Sequence, residues 1–102
     1  MTFVEITRFR VAPESRGALV AARPAMLRDF STDRRGFVDA QLIELRSGEW
    51  LDVVRWRSRE DFVTSREKGA NHPGIAAFFS AIDDVIETVE GEEPDLPADP
   101  RL

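Results

Sequence analysis

Residues 37–57 read FVDAQLIELRSGEWLDVVRWR, and this stretch decides the fold of the chain. Two apolar segments, 37–45 and 50–57, flank a short polar stretch at 46–49. Gly48 lies in that polar stretch, where a tight turn commonly needs the positive φ that glycine adopts without strain. The pattern therefore predicts two antiparallel strands joined as a β-hairpin.

A strand and a helix are predicted before the hairpin. Residues 3–11, FVEITRFRV, alternate β-branched or aromatic residues with charged ones, which is typical of a strand. Pro13 suits the first turn of a helix, and apolar residues recur at helical spacing from Leu19 to Phe30. Pro24 should kink or split this helix. It is either a tolerated kink on an exposed side or a bend that leaves space over the sheet.

A second helical region and a last strand are predicted after the hairpin. Ser58, with Asp61 three residues later, resembles a capping box that starts a helix, and Gly69 is suited to end it. Apolar residues between 75 and 82 recur at i, i+3, i+4 and i+7, which predicts a second helical piece. The β-branched residues of 83–90 favour a final strand.

The order strand–helix–strand–strand–helix–strand is the ferredoxin-like βαββαβ arrangement of an α+β protein, with helices on one face of the sheet. The other face would present many apolar side chains, and such a face is rarely left in water. We therefore expect a homodimer packed through the sheet faces. The side chains assigned to that outer face are Val4, Ile6, Val38, Ala40, Leu42, Leu51 and Val53.

Length and composition limit the classes of protein that the chain can represent. Its 102 residues correspond to one domain, assigned to 1–91, and 92–102 read as a flexible, acidic, Pro-rich tail. The absence of cysteine excludes disulfides and thiolate metal sites, and a net charge of −5 argues against nucleic-acid binding. Neither a signal peptide nor an apolar run of membrane-spanning length is recognisable, so we expect a cytoplasmic protein without membrane contact.

Several local features of the sequence together resemble a known family. The first strand reads VEITRFRVAP (4–13), Gly36 and Phe37 open the second strand, and the hairpin ends in RWRSREDF (55–62). With the order of elements, they resemble the antibiotic biosynthesis monooxygenase family of the dimeric α/β-barrel superfamily, over residues 3–90. The resemblance implies oxygenation of a polycyclic aromatic or quinol-type small molecule by O₂ without a cofactor.

The same family contains haem-degrading enzymes, and the resemblance makes that activity the less favoured one. Relatives of that kind carry an asparagine on the first strand, where this sequence has Thr7. A helix position that is often histidine or tryptophan in them corresponds to Ser65.

Cofactor-independent oxygenation needs a base, a group that stabilises an anion, and a dry, aromatic-lined cavity. Strand alternation places Glu5 and Thr7 on the helix-facing side of the first strand, and Trp50 and Trp56 together on one face of the third. Trp56 can equally be core packing, Trp50 a surface residue, and Glu5 solvated at the sheet end. The predicted catalytic residues are His72 and Glu5, and the predicted pocket-lining residues are Thr7, Trp50, Trp56, Ser65, Asn71 and Phe78, with no metal ligand and no cofactor.

His72 is the only histidine and lies in GANHPG (69–74). Proline favours the first helical turn and holds the preceding residue out of the α region, so His72 or Asn71 can be a helix N-cap. The same residue lies at a break between two helical pieces, which suits a pocket mouth, and an imidazole transfers protons near neutral pH. Both interpretations remain open at this point.

The sequence favours a cofactor-independent monooxygenase, with two alternatives of the same fold. One is a non-catalytic protein that binds a small ligand, and the other is a structural dimer module. A cavity of roughly 300 Å³ or more that faces a titratable group is expected for an enzyme, a cavity alone for a binder, and a filled core for a structural module.

Overall fold

A computed structural model describes residues 1–101 as a four-stranded antiparallel sheet with helices on one face. Its strand order is β2-β3-β1-β4, so the first strand and the third are the two central strands. This architecture confirms the predicted ferredoxin-like α+β fold. The elements are β1 (Thr2–Arg10), a 3₁₀ turn (Pro13–Ser15), α1 (Arg16–Asp33), β2 (Phe37–Glu44), β3 (Trp50–Trp56), α2 (Arg59–Lys68), α3 (Pro73–Ser80) and β4 (Asp84–Glu93).

Turns and caps form where local chemistry predicts them. Gly48 has φ 89° in the β2–β3 turn, and Gly69 has φ 59° at the end of α2. The Ser58 hydroxyl accepts a hydrogen bond of 3.2 Å from the backbone N–H of Asp61, which fixes the start of α2. These contacts involve neighbours in the chain, so the sequence alone is sufficient to specify them.

Pro24 does not split the first helix. α1 continues from Arg16 to Asp33 with Pro24 inside it, on the exposed side. The stripe on the opposite side buries Leu19, Met26 and Phe30 against the sheet. Of the two interpretations of Pro24, the placement agrees with a proline tolerated on an exposed side.

The outer face of the sheet differs from the predicted one. The register between β2 and β3 shifts at Val38, because Phe37 pairs with Trp56 whereas Asp39 pairs with Arg55. One extra residue on a strand reverses the alternation beyond it. Ala40 and Leu42 were therefore wrongly assigned to the outer face and pack against the core instead. The apolar outer-face residues are Val4, Ile6, Ile43, Leu51, Val53 and Val89.

Two element ends also differ from expectation. α3 ends at Ser80, so Ile82 follows the helix although it continues the helical spacing. β4 extends to Glu93, because Glu92 and Glu93 pair with Phe3 and Thr2 of β1. The last strand therefore extends two residues into the acidic segment 92–102. Their acidic side chains do not prevent pairing, since strand pairing is made by the backbone.

The helices α1 and α3 approach each other closely at Gly74. A Cβ atom at this position would lie 2.6 Å from the backbone carbonyl carbon and oxygen of Ala25. The backbone N–H of Gly74 donates a 2.8 Å hydrogen bond to the Asp29 carboxylate of α1. Within residues 1–101, no helix has both the length and the apolar character needed to cross a membrane.

Candidate functional site

A cavity of about 430 Å³ lies between the sheet and the helices. Its volume falls within the range of about 300–1,000 Å³ that is usual for small-molecule sites. The apolar part of the wall includes Phe9, Met26, Phe30, Val54, Phe62 and Phe78. The polar part includes Glu5, Thr7, Arg34, Asp52, Ser65 and Arg66.

Glu5 is the carboxylate at the centre of β1 that faces this cavity. Trp56 of the neighbouring strand donates its indole N–H to Glu5 Oε1 at 3.1 Å. Arg66 of α2 donates to Glu5 Oε2, also at 3.1 Å. Burial raises the pKa of the Glu5 carboxyl, and the two donors offset only part of this rise. A carboxylate with a raised pKa in an apolar cavity has the properties of a general base.

A second carboxylate, Asp52 of β3, borders the same cavity and is paired with Arg23 of α1. Arg23 Nη1 donates to Asp52 Oδ2 at 2.7 Å, and Nη2 donates to Oδ1 at 2.8 Å. Both residues are buried. A two-point pair of this kind fixes the orientation of the carboxylate. Asp52 also contributes to the raised pKa of Glu5 through charge repulsion.

Arg34, which follows α1, is buried and connects α1 to the α2–α3 junction. Its Nε donates to the Ser65 hydroxyl at 2.8 Å, and its Nη2 donates to the Gly69 carbonyl at 2.5 Å. Its Nη1 donates to Asp33 and to Asn71, each at 2.8 Å. Four donated hydrogen bonds hold this cation in place, and its guanidinium lies 5.2 Å from the centre of the Phe30 ring.

His72 lies outside the cavity, at the start of α3. Its backbone has the extended geometry of an N-cap, φ −127° and ψ 150°, and its side chain makes no capping hydrogen bond. Its Nε2 lies 3.1 Å from an Asp33 carboxylate oxygen. Hydrogen bonds from Asn71 and Lys68 hold the pKa of that carboxyl well below its ordinary range. The structure therefore places His72 in a surface cluster that connects α1 and α3.

The structure brings four of the predicted site residues together at the cavity: Glu5, Thr7, Ser65 and Phe78. The other four lie elsewhere. Asn71 and His72 lie in the surface cluster around Asp33. Trp50 and Trp56 are buried in the core on the helix-facing side of β3. Trp56 is connected to the cavity by its hydrogen bond to Glu5. Their large apolar area is buried in packing instead of lining the cavity.

Three cavity-wall residues, Arg34, Asp52 and Arg66, were not among the predicted site residues. Asp52 had a recognisable signal, since it is a charged residue on the strand face that also carries Trp50 and Trp56. Arg23, its partner, is likewise the polar member of the apolar stripe of α1. A charge at an apolar position indicates a buried pair. Among residues 1–101, no group of three or more His, Asp or Glu side chains is arranged to hold a metal ion.

Comparison with solved structures defines the class of fold. The chain has the ferredoxin-like α+β fold shared by several structures described as antibiotic biosynthesis monooxygenases, with TM-scores from 0.64 to 0.77. No protein-family model matches the sequence, and the curated proteins contain no significant match. The likeness therefore concerns the arrangement of the backbone.

Three of these neighbours illustrate the likeness. The candidate antibiotic biosynthesis monooxygenase from Bordetella bronchiseptica has a TM-score of 0.77 at 14% identity, over 91% of this chain and 97% of its own. SnoaB, a cofactor-independent oxygenase from Streptomyces nogalater, has a TM-score of 0.65 at 17% identity, over 93% and 95%. Rv0793 from Mycobacterium tuberculosis has a TM-score of 0.66 at 21% identity, over 96% and 100%.

Proposed function

We propose that the protein is a cofactor-independent monooxygenase that acts on an aromatic polycyclic or quinol-type small molecule. The observation that carries the proposal is the partly buried Glu5 carboxylate, with a raised pKa, facing an apolar cavity of about 430 Å³. The likeness to SnoaB, which is described as a cofactor-independent oxygenase, adds support at the level of the fold.

The wall of the cavity suits a flat aromatic substrate. Phenyl rings from β1, α1, α2 and α3 surround it, so a planar ring system can be enclosed by edge and face contacts. Enclosure excludes water from the reacting carbon, which strengthens the interaction of the substrate with the charged groups of the wall. The apolar interior also accommodates O₂, which is small and uncharged.

In the proposed reaction, Glu5 accepts a proton from an acidic C–H of the substrate. The carbanion transfers one electron to O₂, and the resulting radical and superoxide combine to form a C–O bond. The peroxide takes the proton back from Glu5, and loss of water leaves a carbonyl carbon. One O₂ is consumed, with one oxygen atom entering the substrate and the other leaving as water with the two hydrogens of the original CH₂ group.

Arg66 and Trp56 assist Glu5 in this scheme by holding its two oxygens in place. Each donates one hydrogen bond to a different carboxylate oxygen, and a carboxylate oxygen accepts two. A lone pair on each oxygen thus stays available for the substrate proton. While Glu5 is ionised it balances the charge of Arg66; once Glu5 has taken the proton, that positive charge stabilises the anion formed on the substrate.

The direct test is O₂ uptake by the purified protein on a hydroxylated anthrone, with no metal, flavin or haem added. We expect uptake above the spontaneous background, reduced about 10²- to 10⁴-fold in Glu5→Gln, the usual effect of losing a general base. Glu44→Gln, which removes one exposed carboxylate of the Arg16 ion pair, is the matched control and should keep full activity.

His72→Ala separates the two candidate bases. Uptake that persists in this variant supports Glu5, because His72 lies outside the cavity. Uptake lost in His72→Ala and kept in Glu5→Gln would refute Glu5 as the base. Binding of the anthrone without any uptake would favour the alternative of a non-catalytic binder, which the same cavity also suits.

The proposal includes a homodimer that packs through the outer faces of the sheets. The apolar outer-face residues named above form a patch at the centre of that face, and Val89 is 45% exposed in the single chain. Charged pairs such as Arg8–Glu87 and Arg55–Asp39 lie around this patch. An apolar centre with a charged rim is typical of protein–protein interfaces.

A further inference from the structure

The proposed reaction does not use Asp52, although this residue faces the cavity. Each of its oxygens accepts one hydrogen bond from Arg23, at 2.7 and 2.8 Å. A carboxylate can accept about four hydrogen bonds. Asp52 therefore keeps free acceptor capacity at the wall of a largely apolar cavity.

The Asp52 carboxylate is held rigidly in that position. Arg23 is itself buried, with its Nη1 3.3 Å from the Met26 sulfur and its guanidinium 5.0 Å from the centre of the Phe78 ring. These contacts on two helices prevent Arg23 from turning away. Asp52 thus contributes a fixed carboxylate to the wall of the cavity, which Met26 and Phe78 also line.

The charges around the cavity make it a poor site for an anion. Four carboxylates line it, namely Glu5, Asp52, Asp83 and Asp84, together with the two cations Arg34 and Arg66. Asp52 is paired with Arg23, and Asp84 with Arg10. The protein itself uses both cations, since Arg34 donates four hydrogen bonds to its neighbours and Arg66 donates to Glu5. A substrate carboxylate would lack a free cationic partner, and beside Asp52 it would meet only acceptor oxygens, to which it cannot donate a hydrogen bond.

We propose that Asp52, positioned by Arg23, is a specificity-determining residue that accepts a hydrogen bond from a neutral hydroxyl of the substrate and rejects substrates that carry a carboxylate. The inference rests on the proposed function in that it takes this cavity as the substrate site. It narrows the substrate class to uncharged, hydroxylated aromatic molecules.

The test measures binding, so that it does not depend on turnover. The probes are 2-naphthol and 2-naphthoate, which share one ring system and differ in a hydroxyl against a carboxylate, with naphthalene as the ring-only reference. Fluorescence titration at pH 7 gives the three dissociation constants. For the wild type we expect 2-naphthol to bind about tenfold or more tighter than 2-naphthoate, the effect of one hydrogen bond to a charged acceptor.

Two variants assign this preference to Asp52. Asp52→Asn keeps the shape of the side chain and removes its charge. The double variant Arg23→Met with Asp52→Leu removes both charges of the buried pair, a replacement that proteins commonly fold with. In both we expect the preference for 2-naphthol to fall about tenfold, with naphthalene binding unchanged in the double variant. Glu44→Gln, which removes a negative charge far from the cavity wall, should keep the wild-type preference.

Three results would overturn the inference: equal binding of 2-naphthol and 2-naphthoate by the wild type, binding of neither, or an undiminished preference in the folded double variant. Circular dichroism establishes whether that variant is folded, and Asp52→Asn supplies the answer if it is not. One combined outcome is that the wild type prefers 2-naphthol, loses this preference when Asp52 is replaced, and shows no O₂ uptake. That combination would support the role of Asp52 and refute the proposed oxygenation.

Discussion

The close approach of α1 and α3 at Gly74 leads to a quantitative prediction. In Gly74→Ala, the added methyl group would lie 2.6 Å from backbone atoms of Ala25, about 1 Å inside the favourable carbon contact distance. Backbone atoms cannot rotate away as a side chain can, so the two helices must separate. We expect a packing cost at the upper end of the range for overpacked cores, about 3 kcal/mol.

The same substitution also has a favourable component. Alanine is about 1 kcal/mol better than glycine inside a helix, which reduces the expected net loss of unfolding free energy to about 2 kcal/mol. Gly17→Ala is the matched control, because Gly17 lies in α1 and an added Cβ would meet no atom within 4 Å beyond its chain neighbours and the helix's own backbone. That variant should gain up to about 1 kcal/mol. The two alanine variants should therefore differ by about 3 kcal/mol.

Urea unfolding followed by circular dichroism measures this difference. With a slope of about 1–3 kcal/mol per M for small proteins, the midpoints of the two variants should lie about 1 M or more apart. A Gly74→Ala protein as stable as the wild type, or stabilised like Gly17→Ala, would show that α1 and α3 do not meet at this position. It would also refute the cavity wall that depends on their contact.

Three further predictions concern the site, the start of α2 and the outer face. O₂ uptake should rise with pH as Glu5 loses its proton, with a midpoint above the ordinary carboxyl pKa of 4.5 because burial raises the pKa of Glu5. A lower midpoint, or an unchanged pH profile in Glu5→Gln, would contradict the role of Glu5 as the base. Ser58→Ala should lower the unfolding free energy by about 1 kcal/mol, because it removes the N-cap of α2. The control Thr64→Ala, on the exposed side of the same helix, should not have this effect. Equal thermal midpoints of the two variants would refute the role of Ser58 as a cap. In sedimentation, the wild type should be a dimer, and Val53→Lys, on the outer sheet face, should be a monomer. The control Val20→Lys, at an exposed position of α1, should remain a dimer. A monomeric wild type would refute a dimer packed through the outer sheet faces.

The two carboxylates in the interior of the cavity, Glu5 and Asp52, have different surroundings. Glu5 is held by one indole and one half-exposed arginine, so burial prevails and its pKa rises. Asp52 is held by two hydrogen bonds from the buried Arg23, which also balances its charge.

The sequence by itself determined the elements and their order. Gly48, Ser58 and Gly69 have their expected roles because turns and caps depend on contacts within a few residues. Alternation also placed Glu5 and Thr7 correctly on the helix-facing side of β1, as no change of register falls between them. The fold class follows from these local signals, since the hydrophobic pattern and the turn residues favour the same arrangement.

Only the tertiary structure decided which side chains form the site. Arg23 and Asp52 are 29 positions apart, and only the packing of α1 on β3 brings them together. The shift at Val38 turned Ala40 and Leu42 inward, which periodicity cannot reveal because one extra residue reverses it. His72 has the local geometry of a helix start, as the sequence predicts. Its position outside the cavity, beside Asp33 at the end of α1, follows from the packing of the two helices. Periodicity and capping describe neighbours along the chain, whereas a cavity is the space left between elements that are distant in it.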